Sequence, residues 1–465
     1  MRACGIGNRV AISRRNVAVS YRSTESVCVE SRLRHPQHLF CPQAFLRISS
    51  PPVRLYGVCM LYQIFEYQRA MMLAWADQSA QAFASPLSPF AYIPGAEHLA
   101  AGWERFHCLG AACDEPAFGI TAILRDGCVV PVVEQVVLES PFCRLRRFEA
   151  AAAVGHEDVQ QAILVCAPLA GHHAVMLREV VQSLLQEHIV YVTDWTNARH
   201  VPVADGTFHL DDYVIHVQRF IRQIDVVPLH VLAICQATVP ALAAIALLAS
   251  RDETTPCSLT LIGGPIDARR SPTAIGRLAS SQSIQWFRRN LVYAVPQPYA
   301  GAGRQVCPSF VQFSGLAAAQ PFPLWDLWGD YCVNLARGDV ECANSHWQAL
   351  LDYSAVLDMA AEFYLDTVRT VFQEFQIAFG TWQVRGKAVR PQDIRSTALL
   401  TIEGELDDIS GRGQTHAAHD LCRGLSSRDK RLVTIPGCNH YDLFRGPTWR
   451  SEVFPSICDM TRHHM

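Results

Sequence analysis

Apolar residues fall in short, strand-length runs over most of the chain, separated by stretches with helical spacing. CVVPVVEQVVLE (128–139) and FCRLRRFE (142–149) read as two strands. AILVCAP (162–168), HIVYVTDW (188–195), HVLAI (230–234) and SLTLIGGP (258–265) are near-continuous apolar runs, the pattern of strands buried on both faces. Helical spacing predicts helices near 173–187 and 210–224, and the Ala- and Leu-rich stretch from Gln236 to Ser250 reads as a buried helix. Residues 270–394 break the rhythm, being rich in Trp, Tyr, Phe and Pro and mostly helical in pattern. It resumes with STALLTIEG (396–404), a helix near 413–424, RLVTIPG (431–437) and a last helix near 448–462. Strands alternating with helices imply a mostly parallel sheet with helices on both faces. The expected architecture is an α/β core in which 60–150 holds an N-terminal helix and the first strands. Residues 151–269 and 395–465 form the two parts of the core proper, and 270–394 is an inserted helical, aromatic-rich cap.

The first 59 residues differ: nine Arg, no Lys, and only Glu25 and Glu30 as acids, with no periodicity. They read as a disordered tail or an over-extended reading frame, with Met60 as the true start; a transit peptide shares this composition. No short apolar segment with a small-residue cleavage site is present, which disfavours secretion. From Met60, Leu61, Ile64, Phe65, Met72 and Trp75 mark a roughly helical apolar stripe. A net charge of −3 and a pI near 6.6 give no basic face for nucleic acid. The 17 cysteines are scattered without a CxxC pair, which suits a reducing compartment. No apolar run approaches the roughly 20 residues of a membrane span.

Cys235 stands where the strand-like HVLAI run meets the following helix. A nucleophile on a sharp strand-to-helix turn is the elbow of α/β-hydrolases, and such a turn needs small neighbours two residues away on each side. Ala233 and Ala237 meet that need, and the helix start favours a thiolate. A core cysteine at a strand end is the competing reading. LLTIEGELDDIS places Asp407 and Asp408 just past a strand end, and IPGCNHYDLF places His440 after the expected last strand. The order nucleophile, acid, base is that of the α/β-hydrolase topology. An oxyanion hole would combine the Gln236 backbone N–H with that of Leu169, Ala170 being equally possible by spacing. His172 and His173 have no carboxylate or cysteine at ligand spacing, so no metal is expected.

These segments together resemble the intracellular poly(3-hydroxybutyrate) depolymerases from Met60 to the end of the chain. The resemblance is carried by MLYQIFEYQRA, SPLSPFAYIPGA, APLAGHH, VYVTDWTNAR, LAICQATVPALAA, GGPIDARRSPTA, YSAVLDMAAEFYLDT, VRPQDIRSTALLTIEGELDDISG and NHYDLF. It implies an α/β-hydrolase with a Cys235–Asp407–His440 triad, without a cofactor, acting on polyester granules in the cytoplasm. Asp408 is the weaker acid candidate. Ala237 stands where Pro is expected, and Asn439 and Asp442 flank His440 where small residues are usual. Aromatic residues of the cap, Trp286, Trp325 and Trp328 foremost, are candidates to line a channel for an uncharged polymer, with plain packing as the competing reading. A thioester intermediate would also admit coenzyme A as acyl acceptor. A polyester synthase-like acyltransferase and a non-catalytic granule-binding protein are the alternatives.

Overall fold

Nine strands form one sheet: β1 (Ala122–Arg125), β2 (Cys128–Ser140), β3 (Cys143–Ala150), β4 (Gln161–Cys166), β5 (His188–Trp195), β6 (Leu229–Ile234), β7 (Ser258–Ile262), β8 (Ala398–Gly404) and β9 (Lys430–Ile435). Their spatial order is β1-β2-β3-β5-β4-β6-β7-β8-β9. The computed structural model describes residues 54–111, 116–151, 161–319 and 322–464. The 1–53 part of the reading of residues 1–59 lies outside them. Pairing is antiparallel from β1 to β5 and parallel from β5 through β4, β6, β7 and β8 to β9. Every residue of β4, β6, β7 and β8 is buried. That burial explains why these strands read as unbroken apolar runs rather than as alternating ones.

The helices between strands are α3 (Arg178–Leu184), α4 (Leu210–Gln223) and α5 (Thr238–Ala249). The chain runs from β4 outward to β5 and then back across β4 to β6, so right-handed crossovers put α3 on one face and α4 and α5 on the other. The final helix, Phe454–His463, shares the α3 face: Thr461 meets His188 at 3.2 Å, and Trp449 donates to Ser183 at 3.0 Å. This order makes α/β-hydrolase architecture, and the reversal of direction at β4 opens a crevice at the C-terminal ends of β4 and β6.

Two N-terminal helices precede the sheet, α1 (Arg54–Ala84) and α2 (Ala96–Ala111). The boundary expected at Met60 falls inside α1, whose first turns begin at Arg54. A buried polar network ties α1 to the core. The Tyr62 hydroxyl donates to Asp358, whose other oxygen accepts from the Ser309 N–H at 2.7 Å. Glu66 accepts from Tyr299 at 2.5 Å and pairs with Arg69, and the buried Arg199 lies 5.0 Å over the Tyr299 ring.

The stretch between β7 and β8 carries α6 (Ala274–Ser281), α7 (Ile284–Leu291), α8 (Ser309–Ala319), α9 (Phe322–Ala336), α10 (Val340–Ser354) and α11 (Ala361–Thr367). A three-stranded sheet and a two-stranded hairpin, built of two- and three-residue strands, accompany them. The helix expected near 413–424 is reduced to a series of turns and Ala418–Leu421. The reason is local: the Gly413 and His416 N–H groups donate to the buried Glu403 carboxylate and leave the helical pattern.

Candidate active site

Strand β6 ends at Ile234 in extended conformation, and the next residue, Cys235, has φ +54°. A left-handed backbone is costly for a residue with a Cβ, and such strain persists where the surroundings over-determine it. Here the Thr238 hydroxyl donates to the Cys235 carbonyl at 2.8 Å, and Gly264 just past β7 presses against the bend, while Gly263 faces Asp407 and His440. A Cβ on Gly264 would stand 1.8 Å from Thr238 Oγ1 and 2.5 Å from the Cys235 carbonyl oxygen. Ala233 and Ala237 are fully buried beside the bend.

The turn after β8 delivers Asp407, and the loop after β9 delivers His440; both are buried. Asp407 Oδ1 accepts from the Ile409 and Ser410 N–H groups at 2.9 and 2.8 Å, while Oδ2 takes the His440 Nδ1 proton at 2.7 Å. The Cys235 sulfur lies close enough to the same imidazole to act on its charge. Burial alone would lower the pKa of His440, but the Asp407 carboxylate and the Cys235 sulfur outweigh it and hold the ring well above its ordinary value. Asp408 is exposed, and the contacts of His440 run to Asp407. The structure therefore brings Cys235, His440 and Asp407 together and leaves Asp408 out.

The loop after β4 closes the other side. The Gln236 side chain accepts from the Ala170 N–H at 2.8 Å, and Gln312 of α8 accepts from the Gly171 N–H at 2.9 Å. The His173 N–H donates to the Ala355 carbonyl at 2.9 Å. With Ala170 engaged in this way, the Leu169 N–H has no acceptor among the described residues, and the same holds for that of His172 farther along the loop. The Gln236 N–H sits in the first turn after the bend, where intrahelical acceptors are lacking.

Sequence reasoning missed an aromatic wall around the imidazole. Tyr441 and Phe444 stand with ring centroids 5.6 and 5.5 Å from His440, and Tyr353 of α10 lies 5.2 Å from Tyr441. His172 Nε2 meets the Tyr441 hydroxyl at 3.3 Å, and burial drives its pKa down to about 3, so it stays neutral. The NHYDLF segment named His440 and contained Tyr441, yet Tyr353 lies too far along the chain for spacing to reveal it. Of the cap tryptophans, Trp286 is partly buried and packs against the cluster of Phe287, Val292 and Leu365. Trp325 and Trp328 stand exposed on α9, away from the triad's described contacts.

Residues 263–465 match a protein-family model described as PHB de-polymerase C-terminus. This C-terminal part of the chain carries a PHB depolymerase domain. The matched range contains Asp407 and His440, while Cys235 precedes it, and the chain is a carboxylic ester hydrolase. No curated protein matches it. Among solved structures it is similar to a monoacylglycerol lipase of Paleococcus ferrophilus, at 11% identity over 65% of this chain and 95% of that one, with a TM-score of 0.40. A hydrolase from Pseudomonas aeruginosa gives 13%, 70%, 98% and 0.39, and carboxyl esterase 2 from Tuber melanosporum gives 11%, 72%, 84% and 0.36. The fold assignment rests on the strand order and the bend at Cys235 rather than on these superpositions. Among the described residues no helix is long and apolar enough to cross a membrane.

Proposed function

We propose that this enzyme hydrolyses stored poly(3-hydroxybutyrate) inside the cell through a cysteine nucleophile. The observation that carries the reading is a cysteine at φ +54° on a strand-to-helix bend, beside an imidazole whose Nδ1 donates to a buried carboxylate at 2.7 Å. In this reading His440 takes the thiol proton and Cys235 Sγ attacks an ester carbonyl carbon. The oxyanion is met by the Gln236 and Leu169 N–H groups, a type of contact worth about 3 kcal/mol per donor in other enzymes. His440 then returns its proton to the departing 3-hydroxyl oxygen as the C–O bond breaks. Water attacks the 3-hydroxyacyl thioester, gives its proton to His440, and expels the thiolate. Asp407 holds the ring with its proton on Nδ1 and offsets the charge that develops there.

The substrate is an uncharged polymer held in cytoplasmic granules. Coenzyme A is a chemically reasonable acceptor in place of water. The wild-type protein and its Cys235→Ala variant are incubated with amorphous polymer, with polymer plus coenzyme A, and with 3-hydroxybutyryl-CoA. Release of 3-hydroxybutyrate from polymer alone, abolished in the variant, is the expected result. Formation of 3-hydroxybutyryl-CoA would mark thiolysis, and polymer growth from the thioester would mark a synthase. Release at the wild-type rate by Cys235→Ala would remove the nucleophile assignment.

A further inference from the structure

Residues 61–96 contain three charged side chains, Glu66, Arg69 and Asp77. Glu66 and Arg69 are turned inward onto Tyr299, so Asp77 is the exposed charge of this stretch. On the outside of α1, Tyr67, Met72 and Trp75 are 68%, 51% and 58% exposed, and in the turn that follows Leu87 and Tyr92 reach 97% and 76%. Exposed Gln63, Gln68, Asp77, Gln78 and Gln81 share that outer side, so the apolar side chains stand among uncharged amides and one carboxylate. The surface continues onto the neighbouring helices: Trp75 contacts Trp103 of α2 with centroids 4.7 Å apart, and Trp103 contacts Phe106 at 6.0 Å. Between α2 and α9 lies a groove of about 830 Å³ lined by Leu99, Trp103, Phe106, Trp328, Tyr331 and Leu335, with Glu97, His98 and Arg105 also on its walls. Monomeric soluble proteins rarely expose contiguous apolar patches beyond a few hundred Å², and larger ones mark interaction sites.

We propose that this face is where the enzyme lies on its water-insoluble polyester particle, a contact separate from the cleft that cuts the chain; the inference rests on the depolymerase reading above. Charge decides the occupant. A membrane surface rich in anionic lipid attracts Lys and Arg, and residues 61–96 expose neither. A polyester surface is neutral, built of methyl groups and ester carbonyls, and exposed indole N–H and phenol groups supply donors for those carbonyls. The face also reaches the catalytic cleft. Arg105 of α2 lies over the rings of Tyr331 and Trp347 at 5.2 and 5.8 Å. Trp347 shares α10 with Tyr353, which borders His172 and Tyr441.

The test uses the full chain. Tyr67→Glu and Leu87→Glu are placed separately and together in a Cys235→Ala background, and binding to amorphous poly(3-hydroxybutyrate) particles is read by co-sedimentation. The same substitutions in the active chain are assayed on a soluble butyryl ester and on particles. The expected result is a rise of roughly tenfold or more in the half-saturating particle concentration of the double variant. Particle hydrolysis should fall in step, while soluble-ester turnover stays within about twofold. Undiminished particle binding overturns the proposal. So does equally tight binding of the wild type to phosphatidylglycerol vesicles, or a dimer that the substitutions split while particle binding per chain is kept, which would make the face a contact with a second copy. Because binding is read without turnover, a chain that docks on polymer yet never cleaves it sinks the depolymerase reading and spares the docking face.

Discussion

Asp407→Asn keeps the shape of the side chain and changes which of its atoms can donate. Oδ1 accepts from two backbone N–H groups, at 2.9 and 2.8 Å, and Oδ2 accepts from His440 Nδ1 at 2.7 Å. The asparagine amide must leave its carbonyl oxygen on the two backbone donors, since turning its NH2 toward them would set donor against donor. The NH2 then faces His440 Nδ1, which has to accept, and the ring proton moves to Nε2. That nitrogen can no longer take the thiol proton. A carboxylate-to-amide change that enforces the wrong tautomer lowers kcat by about 10⁴ in a serine triad, equivalent to roughly 5.5 kcal/mol of barrier. A fall of about 10³ to 10⁴ in kcat on a soluble butyryl ester is expected here, with the fold intact by circular dichroism. Imidazole ¹⁵N shifts read the tautomer directly. Asp408→Asn, on an exposed side chain, should leave kcat within about twofold. The reasoning fails if Asp407→Asn keeps kcat within tenfold of wild type, or if Asp408→Asn loses as much.

Gly264→Ala should lower both Tm, by a few degrees, and kcat, by more than the loss of folded protein explains. Its Cβ would stand 2.5 Å from a backbone oxygen of the bend, and overpacking costs about 1–3 kcal/mol. Thermal denaturation beside steady-state kinetics checks this, and wild-type values of both would refute the crowding argument. Stability should also fall as pH drops below 6.5. Burial lowers the pKa values of His172, His188 and His230 to about 3, 4 and 3, so the unfolded chain binds protons that the folded chain refuses. Their full contribution is present above about pH 6.5 and is lost toward pH 4; near pH 5 three protons correspond to roughly 4 kcal/mol per pH unit. His440 works the other way, since its raised pKa adds stability in full below about 6.5 and loses it as pH rises through the folded value. Urea midpoints measured from pH 7 to 5 check the acid limb, and a flat profile would refute it.

The parts of this molecule legible in the sequence are those whose chemistry is local. Strands β4, β6, β7 and β8 are buried on both faces and so are written as apolar runs; Asp407 was legible because it follows such a run, and His440 because it follows the RLVTI segment of the half-exposed β9. The four residues of β1 and the two- and three-residue strands of the cap are too short to show any period. Gly264 is constrained by Thr238 and Tyr353 by His172, contacts between distant positions that a pattern along the chain does not carry. Trp286, Trp325 and Trp328 illustrate the same limit, since aromatic content marks a need for burial or contact without saying against what. The stretch 413–424 has helical spacing, but the buried Glu403 claims its backbone donors.

Cys235 and the pair Asp407–His440 lie on opposite sides of the long insertion between β7 and β8, and His440 follows the last strand of the sheet. A chain being synthesised can therefore form the bend and bury most of the sheet while still lacking its proton carrier. On the proposed mechanism hydrolytic power waits for β9 to dock at the edge, so the newborn chain is inert while most of its core is already laid down.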